Sequence, residues 1–510
     1  MNVVGGRIAA GEGGCSDGDG EQHPMVGDLL DQSLAFCMQI KKPTKPEKEA
    51  FMKHKRFTFF FLAALVLLVS TAAGAYEAFV GPTGVLKWDK SKAYNGFTLF
   101  APQGSRNIYL IDMEGNVVHK WETPYINEEY AELLPNGNLL RGAQVKEEKA
   151  VYFGGAGGLL QELSWDNKVV WEYKLNSPKG MFHHGFDRMP NGNTLLNAFE
   201  YKSWEEAIAK GRNSKTTYPK GLISHIDPEK RPTMGIWPDF IQEVDQNGKV
   251  VWEWHVWDHI GTGPDQFDIN FVLPNSPTLG AVYSGPDWSH FNTVQYLPEK
   301  DQVLLCSRNF GEIYIVDRKS GKMVWRWGNP GAYGKGKLPG GYADDGDQIL
   351  FGPHHPQIQA NGNITILDNG TLRPSGNRSR VIEIEPTTGK IVWEFGSNGG
   401  GRASNSFYAS FQGAAQKLPN GNFLVTSTMQ GHMFEVTQNK EIVWDYVNPV
   451  GRRGPVCVRE DYLPAFWVHR SYRYSQHHPG LKGKDLTPKE PLAPGCPVMF
   501  RVFEEAKAKK

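Results

Sequence analysis

The chain is predicted to fold as an all-β, six-bladed β-propeller preceded by an N-terminal signal or transmembrane helix, and three observations predict it. An uncharged apolar run follows a short basic cluster near the N-terminus. A hairpin built on Asn-Gly then recurs down the chain, and a second hairpin ending on tryptophan alternates with it. Composition agrees with such a fold. Of 510 residues, 57 are Gly, and 15 Trp, 19 Tyr and 27 Phe bring the aromatic share to 12%, the mixture of many short strands and tight turns. Fifty-five Lys and Arg balance 55 Asp and Glu, so no global field attracts nucleic acid. Five Cys exclude a disulfide-built scaffold, and 40% hydrophobic residues supply a large core.

The N-terminal element is the run FTFFFLAALVLLVSTAAGA at 57–75, nineteen residues behind Lys53, His54, Lys55 and Arg56. That length crosses a bilayer as a helix, and the positive-inside rule exports everything after it. Ala73-Gly74-Ala75 reads as a cleavage site, and the stretch from Met52 reads as a complete signal-peptide start. We therefore expect residues 1–51 to be a disordered or artefactual extension and 52–76 a signal peptide or a retained signal anchor. The body would lie on the periplasmic or extracellular side, either free or membrane-anchored through 57–75. Residues 90–450 form the propeller, and 451–510 a tail that packs on it.

The first repeated hairpin appears as ELLPNGNLL (132–140), DRMPNGNTLL (187–196), QANGNITIL (359–367) and KLPNGNFLV (417–425). A degenerate copy is YLPEKDQVLL (296–305) and a truncated one YNGFTLF (94–100). Asn-Gly between apolar runs is a hairpin signal, here expected as a type I′ turn. The second hairpin ends on Trp121, Trp171, Trp252, Trp325, Trp393 and Trp444, at spacings of 50, 81, 73, 68 and 51 residues. Two hairpins make one four-stranded unit, and six units account for the region. The tryptophans are expected to pack between blades. Among the insertions, SWEEAIAKG (203–211) reads as a short helix, whereas 253–289 and 326–353 read as loops. Beyond Asp445 the pattern fades, and PVMFRVF (497–503) is a candidate to pair with a terminal blade.

Residues just before the LPNGN strand converge at one mouth of a propeller's channel. Three repeats place histidine there: His183 and His184, His290, and His354 and His355. The equivalent positions Glu129 and Gly413 show that the fold does not require it. Arg308, after VLLCS on the returning strand of the fourth blade, points to the same mouth. Clustered imidazoles can bind a transition metal, but no Cys lies nearby and the permanent charge of Arg308 disfavours a dication. Imidazoles with a guanidinium suit a tetrahedral oxyanion instead, so no metal and no cofactor are expected.

The segments HHGFDRMPNGNTLL, DWSHFNTVQYLPEKDQVLLCSR, HHPQIQANGNITILDNG, SRVIEIEPTTGKIVWEF and AAQKLPNGNFLVTST resemble the bacterial arylsulfate sulfotransferases, or arylsulfotransferases, over roughly 95–480. The resemblance implies an exported six-bladed propeller that moves a sulfuryl group from an aryl sulfate to a phenol without a nucleotide donor, by a ping-pong mechanism through a sulfohistidine. It implies His354 as the nucleophile, His290 and Arg308 as contacts of the sulfuryl group that assist proton transfer, and His184 as the remaining active-site histidine. His355, His183 and Asn292 would line the substrate. His355 competes with His354, because the family often has Gln before the nucleophile where this chain has GPHH. Trp257, Phe267, Tyr283 and Trp288 either stack on aryl substrates or anchor their loops. The hairpins DRKSGKMVW and EPTTGKIVW also resemble the tryptophan-docking repeats of quinoprotein dehydrogenases, which bind pyrroloquinoline quinone and calcium but usually have more blades. A non-catalytic scaffold explains the repeats without the histidines. Cys306 reads as buried filler, and Cys457 and Cys496 as a candidate disulfide in the tail.

Overall fold

A computed structural model of the chain describes residues 81–213, 235–271, 287–396, 408–451, 454–459, 466–494 and 496. All lie in the compact unit Ala75–Lys510; the expected helix at 57–75, Tyr283 and the stretch 497–503 fall outside the described residues. Among the described residues no helix is long and apolar enough to cross a membrane.

Six antiparallel sheets form six blades. Blade two takes Asn127–Leu133, Leu139–Gln144, Gly158–Leu163 and Val169–Lys174 from the channel outward. Blade three takes Gly180–Arg188, Thr194–Glu200, Asp239–Val244 and Val250–His255, with the two-residue strand Asn176–Ser177 at its inner edge. Blade four takes Phe291–Leu297, Gln302–Ser307, Glu312–Asp317 and Met323–Trp327. Blade five takes His354–Ile358, Ile364–Asp368, Arg380–Glu385 and Lys390–Phe395. Blade six takes Ala414–Lys417, Phe423–Ser427, His432–Val436 and Ile442–Val447, and Gly84–Trp88 adds a fifth, outer strand.

Blade one differs. Its three outer strands, Gly96–Pro102, Asn107–Ile111 and Val117–Glu122, come from the start of the domain. Its innermost strand is Val468–Ser475, with Gly96 opposite Ser475 and Pro102 opposite Val468. YNGFTLF is therefore a truncated hairpin because its missing half arrives from the C-terminus. Cys457 and Cys496 form a disulfide whose loop encloses this closing strand. Gly81–Pro82 pairs with Val458–Arg459 beside it.

Alternation along the strands explains the packing. In blade four Val303 and Leu305 join a cluster with blade three, while Leu304 and Cys306 join one with blade five, because successive side chains point to opposite faces. Corresponding clusters lie between blades one and two, two and three, five and six, and six and one. Each Leu, Ile, Val or Phe buried there contributes about 1.5–3 kcal/mol. The repeat tryptophans reach across these interfaces as expected. Trp121 donates Nε1–H to Ser164 O at 3.2 Å, Trp252 to Arg318 O at 3.2 Å, Trp325 to Pro386 O at 3.2 Å, Trp393 to Gln438 O at 2.9 Å and Trp444 to Met113 O at 2.9 Å. The short helix is present as Trp204–Ala209, held by a Ser203 and Glu206 capping box.

The LPNGN turns differ from the expected type I′. Gly137, Gly192, Gly362 and Gly421 have positive φ, but the asparagines before them do not. Each glycine N–H donates to the carbonyl three residues back, as in Gly137 to Leu134 at 2.9 Å. This is a type I turn closed by a left-handed glycine, with Pro at the second position in three of the four. The second asparagine then clamps a glutamate of the third strand: Asn138 to Glu162 at 2.6 Å, Asn193 to Glu243 at 2.6 Å, Asn363 to Glu383 at 2.8 Å and Asn422 to Glu435 at 2.6 Å. Each glutamate also meets a cation of the next blade, namely Arg188, Arg318, Lys417 and Arg473.

Candidate active site

At the end of the channel opposite these turns the inner strands lose their regularity. Register slips occur around Glu129, His184, Asn292 and His355. Four non-glycine residues there, His184, His290, His355 and Gln412, have φ between 46° and 53°. A left-handed backbone costs an L-residue roughly 1–2 kcal/mol; at the turn end the same conformation falls on tight-turn residues such as Asn167, Asp301 and Lys440, whereas here it falls on the inner-strand histidines themselves.

His354 opens the inner strand of blade five and is buried. Its Nδ1 lies 2.8 Å from Asn369 Oδ1 and 3.0 Å from Gly352 O. Two acceptors at Nδ1 place the hydrogen there and leave a lone pair on Nε2. That Nε2 accepts the Gln412 N–H at 3.2 Å. Burial, and after it the Arg308 guanidinium, hold the imidazole well below its ordinary value, so it is neutral at pH 7. The Arg308 backbone N–H donates to His290 O at 3.0 Å, and its Cγ lies 3.8 Å from where a side chain on Gly352 would stand. The side chain thus starts out beside the loop entering blade five, and one guanidinium nitrogen donates to Asn309 Oδ1 at 3.2 Å.

His290 Nδ1 meets Asp287 Oδ2 at 2.6 Å, which fixes the ring and turns Nε2 outward. His290 and Arg308 are slightly exposed, 7% and 9%, whereas His184 and His354 are 1% exposed; the chamber is therefore entered past the first pair. The His184 ring is edge-on to His290 at 4.7 Å. Its Nδ1 lies 2.8 Å from His183 Nδ1, so one of those two nitrogens carries the shared hydrogen. Burial first, then neighbouring imidazoles, hold His184 well below its usual value and His183 down to about 3. Gly155 passes directly over this group. A Cβ there would lie 2.2 Å from His184 Cε1, so only glycine lets the blade two loop roof the chamber.

The remaining expected residues brace the site. His183 stacks on Phe199 at 3.5 Å with Nε2 2.8 Å from Asp239. Asn292 donates to Pro353 O at 2.7 Å, next to His354, and accepts from Thr293 at 2.9 Å. His355 turns away from His354. Its Nε2 meets Tyr472 OH at 3.2 Å and its Nδ1 accepts Ala415 N–H at 3.3 Å, and it borders a separate cavity of about 230 Å³ with Arg470, Tyr472, Glu132 and Asp187. Trp257, Phe267 and Trp288 belong to the core cluster between blades three and four, so the loop-anchoring reading of these three holds. Among the described residues no group of three or more His, Cys, Asp or Glu could hold a metal ion.

A neutral, tautomer-fixed imidazole beside a guanidinium and a carboxylate-held imidazole can accept an electrophilic oxyanion group and move a proton. The comparison with known proteins points the same way. Residues 229–451 match the arylsulfotransferase (ASST) family. That match spans the inner strands of blades four and five with His290, Arg308 and His354, and agrees with the resemblance in the motifs. The chain is 25% identical over 327 residues, 54% of its length, to the arylsulfate sulfotransferase AssT of Escherichia coli. It spans about half of that relative's length, 50%. Among solved structures, a protein of unknown function from Bacteroides caccae is matched at a TM-score of 0.43 and 10% identity, over 74% of this chain and 98% of that one. A virginiamycin B lyase from Staphylococcus aureus is matched at 0.34 and 14%, over 72% and 84%. At these scores neither carries an argument about fold or activity.

Sequence reasoning passed over Asp287, Asn369, Gln412 and His469. Asp287 stands inside the quoted DWSH, three residues before His290, and was the one with a readable signal. Gln412 acts through its backbone, which no side-chain pattern announces.

Proposed function

We propose that the propeller transfers a sulfuryl group from an aryl sulfate to a phenolic acceptor in two steps through His354. The observation that carries this reading is the His354 imidazole, neutral and with its Nδ1 hydrogen held by Asn369. Nε2 attacks sulfur, the sulfur to aryl-oxygen bond breaks, and the departing phenolate takes a proton from His290 Nε2. In the second step His290 takes the acceptor's phenolic proton, the new oxygen to sulfur bond forms, and the bond to His354 breaks. Protons balance over the cycle. Asp287 keeps His290 oriented and stabilises its charged form, as a carboxylate does for a catalytic imidazole. Arg308 holds the sulfuryl oxygens, and Gln412 N–H is placed to donate to one of them once Nε2 is occupied.

We further propose that the propeller acts on the exported side of a membrane, a reading supported by the basic cluster and apolar run at 53–75. The decisive measurement is release of p-nitrophenol from p-nitrophenyl sulfate by the purified protein, with and without added phenol. Turnover that depends on phenol is expected, with radiolabelled sulfate retained on the protein when phenol is omitted. No release under either condition overturns the proposal.

A further inference from the structure

The closing strand brings one more imidazole to the chamber. His469 is fully buried. Its Nδ1 lies 2.7 Å from Glu129 Oε2, and the other oxygen of Glu129 accepts the backbone N–H of His184 at 3.1 Å. The ring stands edge-on to His184 at 5.8 Å and to Tyr130 at 5.6 Å, and burial, with Arg470 after it, holds it well below its ordinary value and so neutral. Among the described residues neither ring nitrogen of His469 makes a well-aligned hydrogen bond; Nδ1 has the close approach of Glu129 Oε2, and Nε2 has no carboxylate beside it. Leaving a buried polar atom in that state is unfavourable, and a ligand oxygen at this point would satisfy it.

Glu129 decides which kind of ligand atom fits. Burial pushes its carboxyl up to about 7. Below that pH the carboxyl keeps a hydrogen on Oε2, facing Nδ1, while Oε1 accepts from His184. The imidazole then carries its own hydrogen on Nε2 and presents a donor to the chamber. A tetrahedral sulfuryl group bound to His354 has three oxygens, and Arg308 and Gln412 N–H approach from blades four and six. Blade one supplies a donor from a third direction.

We propose that His469, set by Glu129, is a sulfuryl-binding residue that donates its Nε2–H to an oxygen of the group carried by His354. Glu129 is its positioning residue. This inference rests on the sulfuryl-transfer reading above and adds a donor to it.

The test measures kcat and KM for p-nitrophenyl sulfate with phenol as acceptor, from pH 5 to 9, in wild type, His469→Leu, His469→Gln and Glu129→Gln. Removing one such donor should lower kcat on the order of 10²-fold in His469→Leu with KM for phenol unchanged. His469→Gln keeps an N–H and should recover most of that loss. Glu129→Gln donates permanently from its amide, so its kcat should stay level above pH 7 where that of wild type declines. Wild type that releases no p-nitrophenol overturns the transferase reading and this inference with it. Active wild type overturns this inference alone if His469→Leu stays within about twofold, if Leu and Gln lose equally, or if Glu129→Gln keeps the wild-type pH profile.

Discussion

The two ends of the channel are built from the same strands and obey different rules. At the turn end, four blades repeat one clamp: a type I turn, an asparagine on a glutamate, and a cation from the next blade. At the histidine end, each blade contributes something different, registers slip, and His184, His290, His355 and Gln412 adopt left-handed backbone. The turn end repeats because its task, holding neighbouring blades, is the same at every interface. The histidine end departs from repetition, as the proposed meeting of several groups on one small ligand requires.

Substitutions at the two ends should therefore separate turnover from stability. The largest effect expected is from His354→Asn, which should abolish phenol-dependent p-nitrophenol release while leaving the thermal midpoint near that of wild type. Asp287→Asn keeps the size of the side chain but loses the charge on His290, and kcat should fall by about 10²–10⁴-fold; an unchanged kcat would show that His290 needs no carboxylate. Opening the Cys457 to Cys496 bridge, whose ends are 39 positions apart, should cost about 4 kcal/mol of stability in the chain-entropy account. That loss is measurable as a lower midpoint in guanidinium. Glu383→Gln breaks one clamp, with Asn363 at 2.8 Å and Lys417 at 2.6 Å, and should cost about 1–2 kcal/mol with kcat unaltered.

The smallest effect concerns pH. Burial pushes Glu132 up to about 7 and Asp187 up to about 8, both above their unfolded values. The folded protein then binds more protons than the unfolded chain, so these groups lose stability as pH rises through that range. His183, His184, His354, His355 and His469, all held low by burial, exchange protons only below about 6.5 and do not oppose this trend. The thermal midpoint should fall between pH 6.5 and 8.5, and Glu132→Gln should make that slope shallower.

What was legible in the sequence follows the same division. The six tryptophan hairpins and the PNGN turns could be read because each is fixed by residues within one hairpin. Even there the turn type differed, since proline before Asn-Gly favours a type I turn over the mirror-image one. His184 and His354 could be singled out because each stands five residues before its turn, His290 because it stands seven before, and Arg308 because it follows the VLLCS strand. The closing strand could not be read. Its pairing of Ser475 with Gly96 spans the whole domain, and HRSYRYS carries no turn of its own. His469 stayed hidden with it, and so did the role of Glu129, which has meaning only opposite that histidine.

The position of the closing strand also sets an order in time. A ribosome makes this chain from the N-terminus, so the residues of five blades and most of the site are made before residue 468 is. Until then blade one has no inner strand, the gap between blades six and two stands open, and Glu129 faces nothing. The last strand shuts the ring and supplies the last imidazole in the same event. On the proposed mechanism, ring closure and the last sulfuryl donor therefore arrive together.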